Sequence, residues 1–361
     1  MKGERLELFK EFAYRFLAQN RLIGSDGHLY SQRLIEGFLE ENLYPYRRES
    51  FFLRVAILEK AWVEVEDKRV EGIAYLGSKK VVLEGFVKRN YLEGDIALIP
   101  NLTRDKALEA QRRKALAIIT YREKDKVDGY IYGPSMGVDI PVLSLRREDI
   151  KDVEDFRVRL FISSREKGVR CENITMEVGR GPIIYLVAHR DTVQNTYGAM
   201  ANGIGTILLL FLFNELKDGY HAPYKLRFLL SDAREWGSKG VRHHLEKGLR
   251  HVFYCINLEG IGWHNPCVIY KDMGGYNGER INELFYKHLR DLRVGIDFCK
   301  AKERDGDHIP FKEVGVQSLF LSSHPFTIRH TQYDLYDAVN WDVVAMWYEV
   351  ILSFLRRFHK L

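Results

Sequence analysis

The residues of this chain that could do chemistry stand at the ends of short apolar runs. The run 183–188 is followed by His189, Arg190 and Asp191, and the run 226–230 by Ser231-Asp232-Ala233-Arg234-Glu235. The run 252–256 leads into Asn257-Leu258-Glu259, and 318–321 leads to His324 and then to His330 in an Arg-His-Thr-Gln-Tyr-Asp stretch. Imidazoles and carboxylates recurring in this way make up the nitrogen–oxygen donor set that suits zinc. Asp191, two residues beyond His189, is of the type that supports a metal-bound imidazole. Taken singly, each group has a plainer reading: His330 as a surface imidazole, Glu235 as a helix-start carboxylate, Glu259 as a turn residue. The recurrence at four successive strand ends is what points to a site.

Continuous apolar runs of this length are typical of parallel strands buried on both faces. Helical patterns near 203–216, 239–246, 279–288 and 341–359 alternate with them. Alternation of this kind predicts an α/β fold, a doubly wound sheet flanked by helices. Sites in such sheets lie beyond the carboxyl ends of the strands. Before this block, helical spacing appears over 5–20 and 31–41, around a Gly24-Ser25-Asp26-Gly27 loop. Between them and the α/β block the pattern changes. Short β-rich runs at 62–65, 80–83 and 95–99 precede a helical stretch at 106–116 and strands at 117–120 and 140–145. Two more strands, 157–163 and 173–178, lead into the α/β block. The expected organisation is one domain formed by 1–50 and 154–361, with a mostly β domain, 51–153, inserted.

Composition narrows the classes. The chain has 361 residues, 46% hydrophobic and 29% charged, which suits about two domains with real cores. Basic residues number 55 and acidic residues 50, for a net charge of +5. The signs are mixed, with no basic stripe or known module, which speaks against nucleic acid. Cys171, Cys255, Cys267 and Cys299 form no C-x-x-C pair, against a zinc knuckle or redox motif. The charged amphipathic start does not read as a signal peptide. The longest apolar run, 204–213, is short of the ~20 residues that span a bilayer. A cytoplasmic protein with reduced thiols is expected, and many Glu, Lys and Arg with few Gln hint at a thermophile. No G-x-S-x-G elbow is present, which argues against a serine hydrolase.

The chain resembles the di-zinc aminopeptidase family, the clan MH metallopeptidases of the aminopeptidase, glutamate carboxypeptidase and transferrin receptor type. LVAHRDTV resembles that family's strand and H-x-D, and GAMANGIGTILLLFLFNEL its G-A-x-D-N-x-x-G loop and helix. FLLSDAREWGSKGV resembles its strand, Glu-Glu pair and Gly-Ser turn; CINLEGIG its N-L-D/E-x-I-G; GDHIPF its S-D-H-x-P-F; RHTQYDLYDAV its closing H-T-P-x-D-T. The middle block resembles a protease-associated domain, through EGDIALIPN, KALEAQRRKALAIITY and IPVLSL. The resemblance implies His189 and Glu259 as terminal ligands of one metal, Glu235 and His330 of the other, and Asp191 as the carboxylate orienting the first histidine. It also implies a peptide or N-terminal peptide as substrate or ligand, and it leaves a homo-oligomer open.

Two positions depart from the family pattern. Ala201 stands where an Asp bridges the two metals, and Arg234 stands where the first Glu of the pair serves as general base. An arginine is always protonated and cannot accept that proton. With Asp191, Glu235 and Glu259 against Arg234, the site carries charge for one divalent ion at most, so one zinc or none is expected rather than two. Two ions without a bridging carboxylate would repel at the ~3.5–4 Å of such pairs. Arg234 is expected to sit among Glu235, Glu259 or Asp191 in place of missing cations. Asp232, Asp305, Asp307 and Glu303 remain as candidate substitute bases. The expected function is a catalytically impaired or inactive homologue kept for binding or assembly. The alternative is an active metallo-aminopeptidase, or another peptide or amide hydrolase, using a single metal or a substitute base.

Overall fold

A computed structural model describes residues 1, 3–123, 129–249, 251–272, 274–301 and 305–358. Its elements run in the order α1 (Glu4–Phe16), α2 (Asp26–Glu41), β1 (Arg47–Val65), β2 (Lys68–Ala74), β3 (Val81–Lys88), β4 (Ile96–Pro100), α3 (Arg104–Arg112), β5 (Ala117–Tyr121), β6 (Val142–Ser144) and β7 (Arg157–Gly179). There follow β8 (Ile183–His189), α4 (Ile204–Leu216), β9 (Lys225–Ser231), α5 (Lys239–Glu246), β10 (Val252–Leu258), β11 (Pro266–Asp272), β12 (Gly275–Tyr276), α6 (Glu279–Leu292), β13 (Asp297–Lys300), α7 (His308–Glu313), β14 (Gln317–Ser323) and α8 (Trp341–Arg357).

The four continuous apolar runs form parallel neighbours in the order β9-β8-β10-β14. β7 joins antiparallel beside β9, and β11 antiparallel beside β14, so the sheet is mixed at its margins. α4 is apolar on every side, which requires burial. It is long and apolar enough, with the turn before it, to cross a membrane by composition, yet 89% of that stretch, Ala199–Leu216, is buried inside the fold. It packs with α1, α8 and the sheet in one core that includes Phe9, Leu208, Phe228 and Trp347. The Gly24–Gly27 loop has a local role: the Ser25 hydroxyl accepts the His28 amide at 3.1 Å and caps α2, which therefore starts five residues earlier than its apolar spacing suggests.

The middle block has cores of its own. One holds Val63, Ile96, Leu98, Ile119, Leu143 and Leu160, and another Tyr75, Ile99, Ala107 and Ile118. No linker sets it apart at the expected boundary, 50/51. β1 begins at Arg47 and pairs antiparallel with β7 from Arg47↔Thr175 to Glu64↔Arg159. The two strands expected at 157–163 and 173–178 are one, because the charged stretch between them is held in register by β1. That stretch is laced with pairs such as Arg54–Glu166 and Arg165–Glu59 and hid its strand character behind polarity. The short elements β2, β11, β12, β13 and α7 carried no periodic signal strong enough to be expected.

Glu49 on β1 ties this ribbon to α5. Its carboxylate hydrogen-bonds His244 Nδ1 at 2.7 Å and pairs with Lys247 at 3.2 Å. Burial would raise its pKa, but the His244 hydrogen bond and the Lys247 charge outweigh this and hold it at about 2. A depressed carboxylate stabilises the fold above its unfolded pKa near 4.5, and the contribution is lost as pH falls from there toward 2. In urea unfolding followed by circular dichroism, Glu49→Gln is expected to be less stable than the wild type at pH 6, with the difference shrinking as pH falls through this window. In the core, Leu208→Ala is expected to cost about 2–5 kcal/mol in the same measurement.

Candidate functional site

The carboxyl ends of the four parallel strands converge, and the groups expected there do meet. His189 closes β8, with Asp191 two residues on; Arg234 and Glu235 follow β9; Glu259 follows β10; Arg329 and His330 lie on the segment after β14. Asp305 and Asp307 come from the loop before α7.

Arg234 is the hub. Its side chain is 3% exposed. One guanidinium nitrogen donates to Glu235 Oε2 at 2.6 Å, and the other to Glu259 at 3.1 and 3.4 Å and to Asp305 Oδ1 at 2.5 Å. A second guanidinium, Arg329, pairs with Glu259 Oε1 at 2.5 Å and Asp305 Oδ2 at 2.6 Å. Three carboxylates thus share two guanidiniums. Burial opposes every one of these charges, but mutual pairing wins. Glu259 is held at about 2, Glu235 and Asp305 lie below the usual carboxylate range, and both arginines are pushed further up.

The two imidazoles differ. His330 Nε2 bonds Glu235 Oε1 at 3.0 Å, and burial together with the Arg329 and Arg234 charges lowers its pKa despite that carboxylate. His189 is fully buried. Burial would lower its pKa, but Asp191 and Glu259 raise it to about 10. Its Nε2 is 3.9 Å from Glu259 Oε1, beyond hydrogen-bond reach, and has no other partner among the described residues.

Asp191 sits somewhat differently from expectation. His189 Nδ1 is 3.0 Å from the Asp191 backbone carbonyl and 3.4 Å from its carboxylate. The carboxylate instead accepts the amides of Arg234 and Glu235, each at 3.0 Å, and so fixes the turn that carries both. Arg234 touches the Asp191 carboxylate only through its backbone; of the three expected partners its guanidinium takes Glu235 and Glu259. Ala201 is buried, in the turn before α4. Its amide and that of Met200 donate to Asp334 at 3.1 and 2.8 Å, and its methyl group offers no donor atom to the cluster.

Of the described substitute bases, Asp232 and Asp305 are paired with cations, whereas Asp307 keeps one buried carboxylate oxygen, Oδ1, without a hydrogen-bond partner among the described residues. Asp232 lies behind the site, bonded to Arg190 at 2.6 Å and to His28 at 3.0 Å. Asp305 is taken by both arginines. Asp307 accepts the Ser231 hydroxyl, and burial raises its pKa. Glu303 lies outside the described residues. His324 is an exposed residue after β14 whose amide donates to the Asn265 carbonyl at 3.1 Å, away from the cluster's ion pairs. Sequence reasoning missed Arg329; the signal was its place directly before His330, a second cation beside an expected ligand.

As a zinc site the arrangement fits in one respect only. The unpartnered His189 Nε2 is what a ligand imidazole looks like without its ion. The carboxylates that would complete the sphere are bonded to guanidiniums, and among the described residues no group of three or more His, Cys, Asp or Glu is placed to hold a metal. The residues as they stand do not fit the ion.

The model for peptidase family M28 matches residues 173–355. The chain belongs to peptidase family M28. In sequence it is 26% identical over 254 residues to the aminopeptidase YwaD of Bacillus subtilis, 65% of this chain and 55% of that one. The chain spans about half or less of the length of the curated relatives it matches. In structure it is similar to an aminopeptidase from Aneurinibacillus sp. strain AM-1, with a TM-score of 0.76 at 18% identity, covering 98% of this chain and 93% of that one. It is also similar to BSAP, a zinc aminopeptidase from Bacillus subtilis, with a TM-score of 0.75 at 20% identity and coverage of 96% and 94%. M28 enzymes are clan MH di-zinc peptidases, so the expected family and the α/β fold both hold.

Removing the hub leaves Glu235, Glu259 and Asp305 with one guanidinium. Breaking a buried pair from one side costs about 3–5 kcal/mol. Arg234→Met is expected to lose stability on this scale at pH 7, measured by urea unfolding. The wild-type carboxylates are held below their ordinary values, Glu259 at about 2 against 4.5, so the loss should shrink as pH falls from 4.5 toward 2.

Proposed function

We propose that this chain is an M28 protein that carries no zinc in its strand-end cluster, does not hydrolyse peptides, and serves in binding or assembly. The observation that supports this reading is the Arg234 guanidinium, bonded at once to Glu235, Glu259 and Asp305. For zinc to take Glu235 and Glu259, Arg234 would have to leave them. It cannot do so by losing its proton, and a buried guanidinium stripped of its carboxylates costs several kcal/mol. The same residue stands where the family's general base stands, so a water there would meet a donor and not an acceptor. The middle block is read as a protease-associated unit, and the bound partner as a peptide or a protein N-terminus. A cytoplasmic setting remains part of the proposal.

A second reading, an active aminopeptidase with a single zinc, is favoured by the unpartnered His189 Nε2 and by the zinc named for the structural relative BSAP. Elemental analysis of purified protein, paired with release of an N-terminal residue from an aminoacyl anilide, separates the two. The proposal expects no stoichiometric zinc and no turnover above background. Zinc in stoichiometric amount together with turnover would establish the second reading. As a converse test, the combined variant Ala201→Asp, Arg234→Glu, Arg329→Ala restores acidic donors and clears both cations, and it should retain zinc through dialysis. If it folds and binds none, the guanidiniums are not what keeps zinc out.

A further inference from the structure

The middle block reaches across the cluster with a strap, residues 130–136. Two of its backbone amides end on the site: Tyr132 donates to the carbonyl of His330 at 2.9 Å, and Ser135 to the carbonyl of Glu235 at 2.7 Å. The side chains of His330 and Glu235 bond each other at 3.0 Å, so the strap holds the backbone of both members of one imidazole–carboxylate pair. A third contact comes from Arg122, just past β5. Its guanidinium donates to the carbonyl of Arg329 at 2.8 Å and also to that of Thr327. It therefore grips the segment that presents Arg329 and His330 to the cluster.

The strap is itself held rigidly. Gly133 lies flat on the Tyr75 ring, where any Cβ would fall 2.0 Å from ring carbons, and its carbonyl accepts the Leu76 amide at 3.1 Å. Ile131 donates to Ser144 Oγ at 3.1 Å. Nearby, Gln194 from the loop after β8 donates to the Ala74 carbonyl at 2.8 Å. Strap, Arg122 and loop contacts all join the middle block to the strand-end loops that carry the cluster.

We propose that strap 130–136 and the Arg234–Arg329 ion cluster form one latch, in which closing the strap over the site and pairing the cluster are mutually dependent. The physical basis is shared backbone. The carbonyls that receive the strap and Arg122 belong to Glu235, Arg329 and His330, whose side chains are cluster members, so a shift of either set displaces the other. Two arrangements coupled through the same residues must be coupled reciprocally. This goes beyond the functional reading above and does not rest on it, because the coupling needs neither zinc nor peptide.

Hydrogen exchange read by mass spectrometry on the whole chain tests it. In the wild type the Tyr132 and Ser135 amides should be protected. Asp305→Asn weakens the pairing of both arginines and should raise exchange across 130–136 about tenfold or more, while α4 and β5 keep their wild-type rates. Arg122→Ala works from the other side and should raise exchange in the strap and in 327–331, and should also speed modification of His330 by diethyl pyrocarbonate. Strap amides that exchange at free-loop rates in the wild type would overturn the latch. So would an Asp305→Asn protein with unchanged strap exchange, or an Arg122→Ala protein whose 327–331 segment stays as protected as before.

Discussion

The site is organised around a buried guanidinium. Arg234 is held where three carboxylates converge, and a guanidinium is suited to that place because it is planar, permanently charged and able to donate to several acceptors at once. Glu235 and Glu259 are deeply buried and are costly to leave unpaired, while Asp305 is 36% exposed. Zinc ions could in principle supply the opposing charge. Here two arginines from the chain itself pair with Glu235, Glu259 and Asp305. In the functional reading proposed above, this pairing takes the place of the charge a metal would bring.

The rest of the molecule serves to hold that cluster. Parallel order in the sheet brings the ends of β8, β9, β10 and β14 together. Behind them, Asp191 fixes the Arg234–Glu235 turn through two backbone amides, and Asp334 fixes the Met200–Ala201 turn in the same way. Arg190, Asp232 and His28 form a second buried ion group beneath, which ties α2 to the end of β9. These contacts are made largely to backbone, and they position the turns whatever side chains the turns carry.

Much of this was legible in the sequence because it follows from strong local signals. The four buried strands and α4 announce themselves as continuous apolar runs, and the groups after each strand had to share one edge of the sheet. Ala201 and Arg234 drew attention because they stand inside stretches that resemble the family's motifs. What stayed hidden depends on long-range placement. Arg329 looked like one more basic residue until the chain brought it back to Glu259 and Asp305. Asp305 was a candidate base without a position. Asp191 was expected to serve His189 through its carboxylate, and a count of residues could not show that the backbone carbonyl would do so first. The long β1–β7 ribbon was masked by its charges, since the ion pairs that hold its polar middle on the surface remove the apolar alternation that marks a strand.

Whether the cluster has room for a metal can be read from stability alone. A ligand that binds only the folded protein raises its stability by RT ln(1 + [L]/Kd), about 2.7 kcal/mol at a hundredfold excess over Kd. Thermal unfolding of the wild-type chain is therefore compared in EDTA and in micromolar free zinc at neutral pH. With Arg234 and Arg329 filling the cluster, the two midpoints should coincide. A midpoint that climbs with zinc concentration, and does so less after His189→Ala, would show that the ion reaches these residues and that the guanidiniums do not stand in its place.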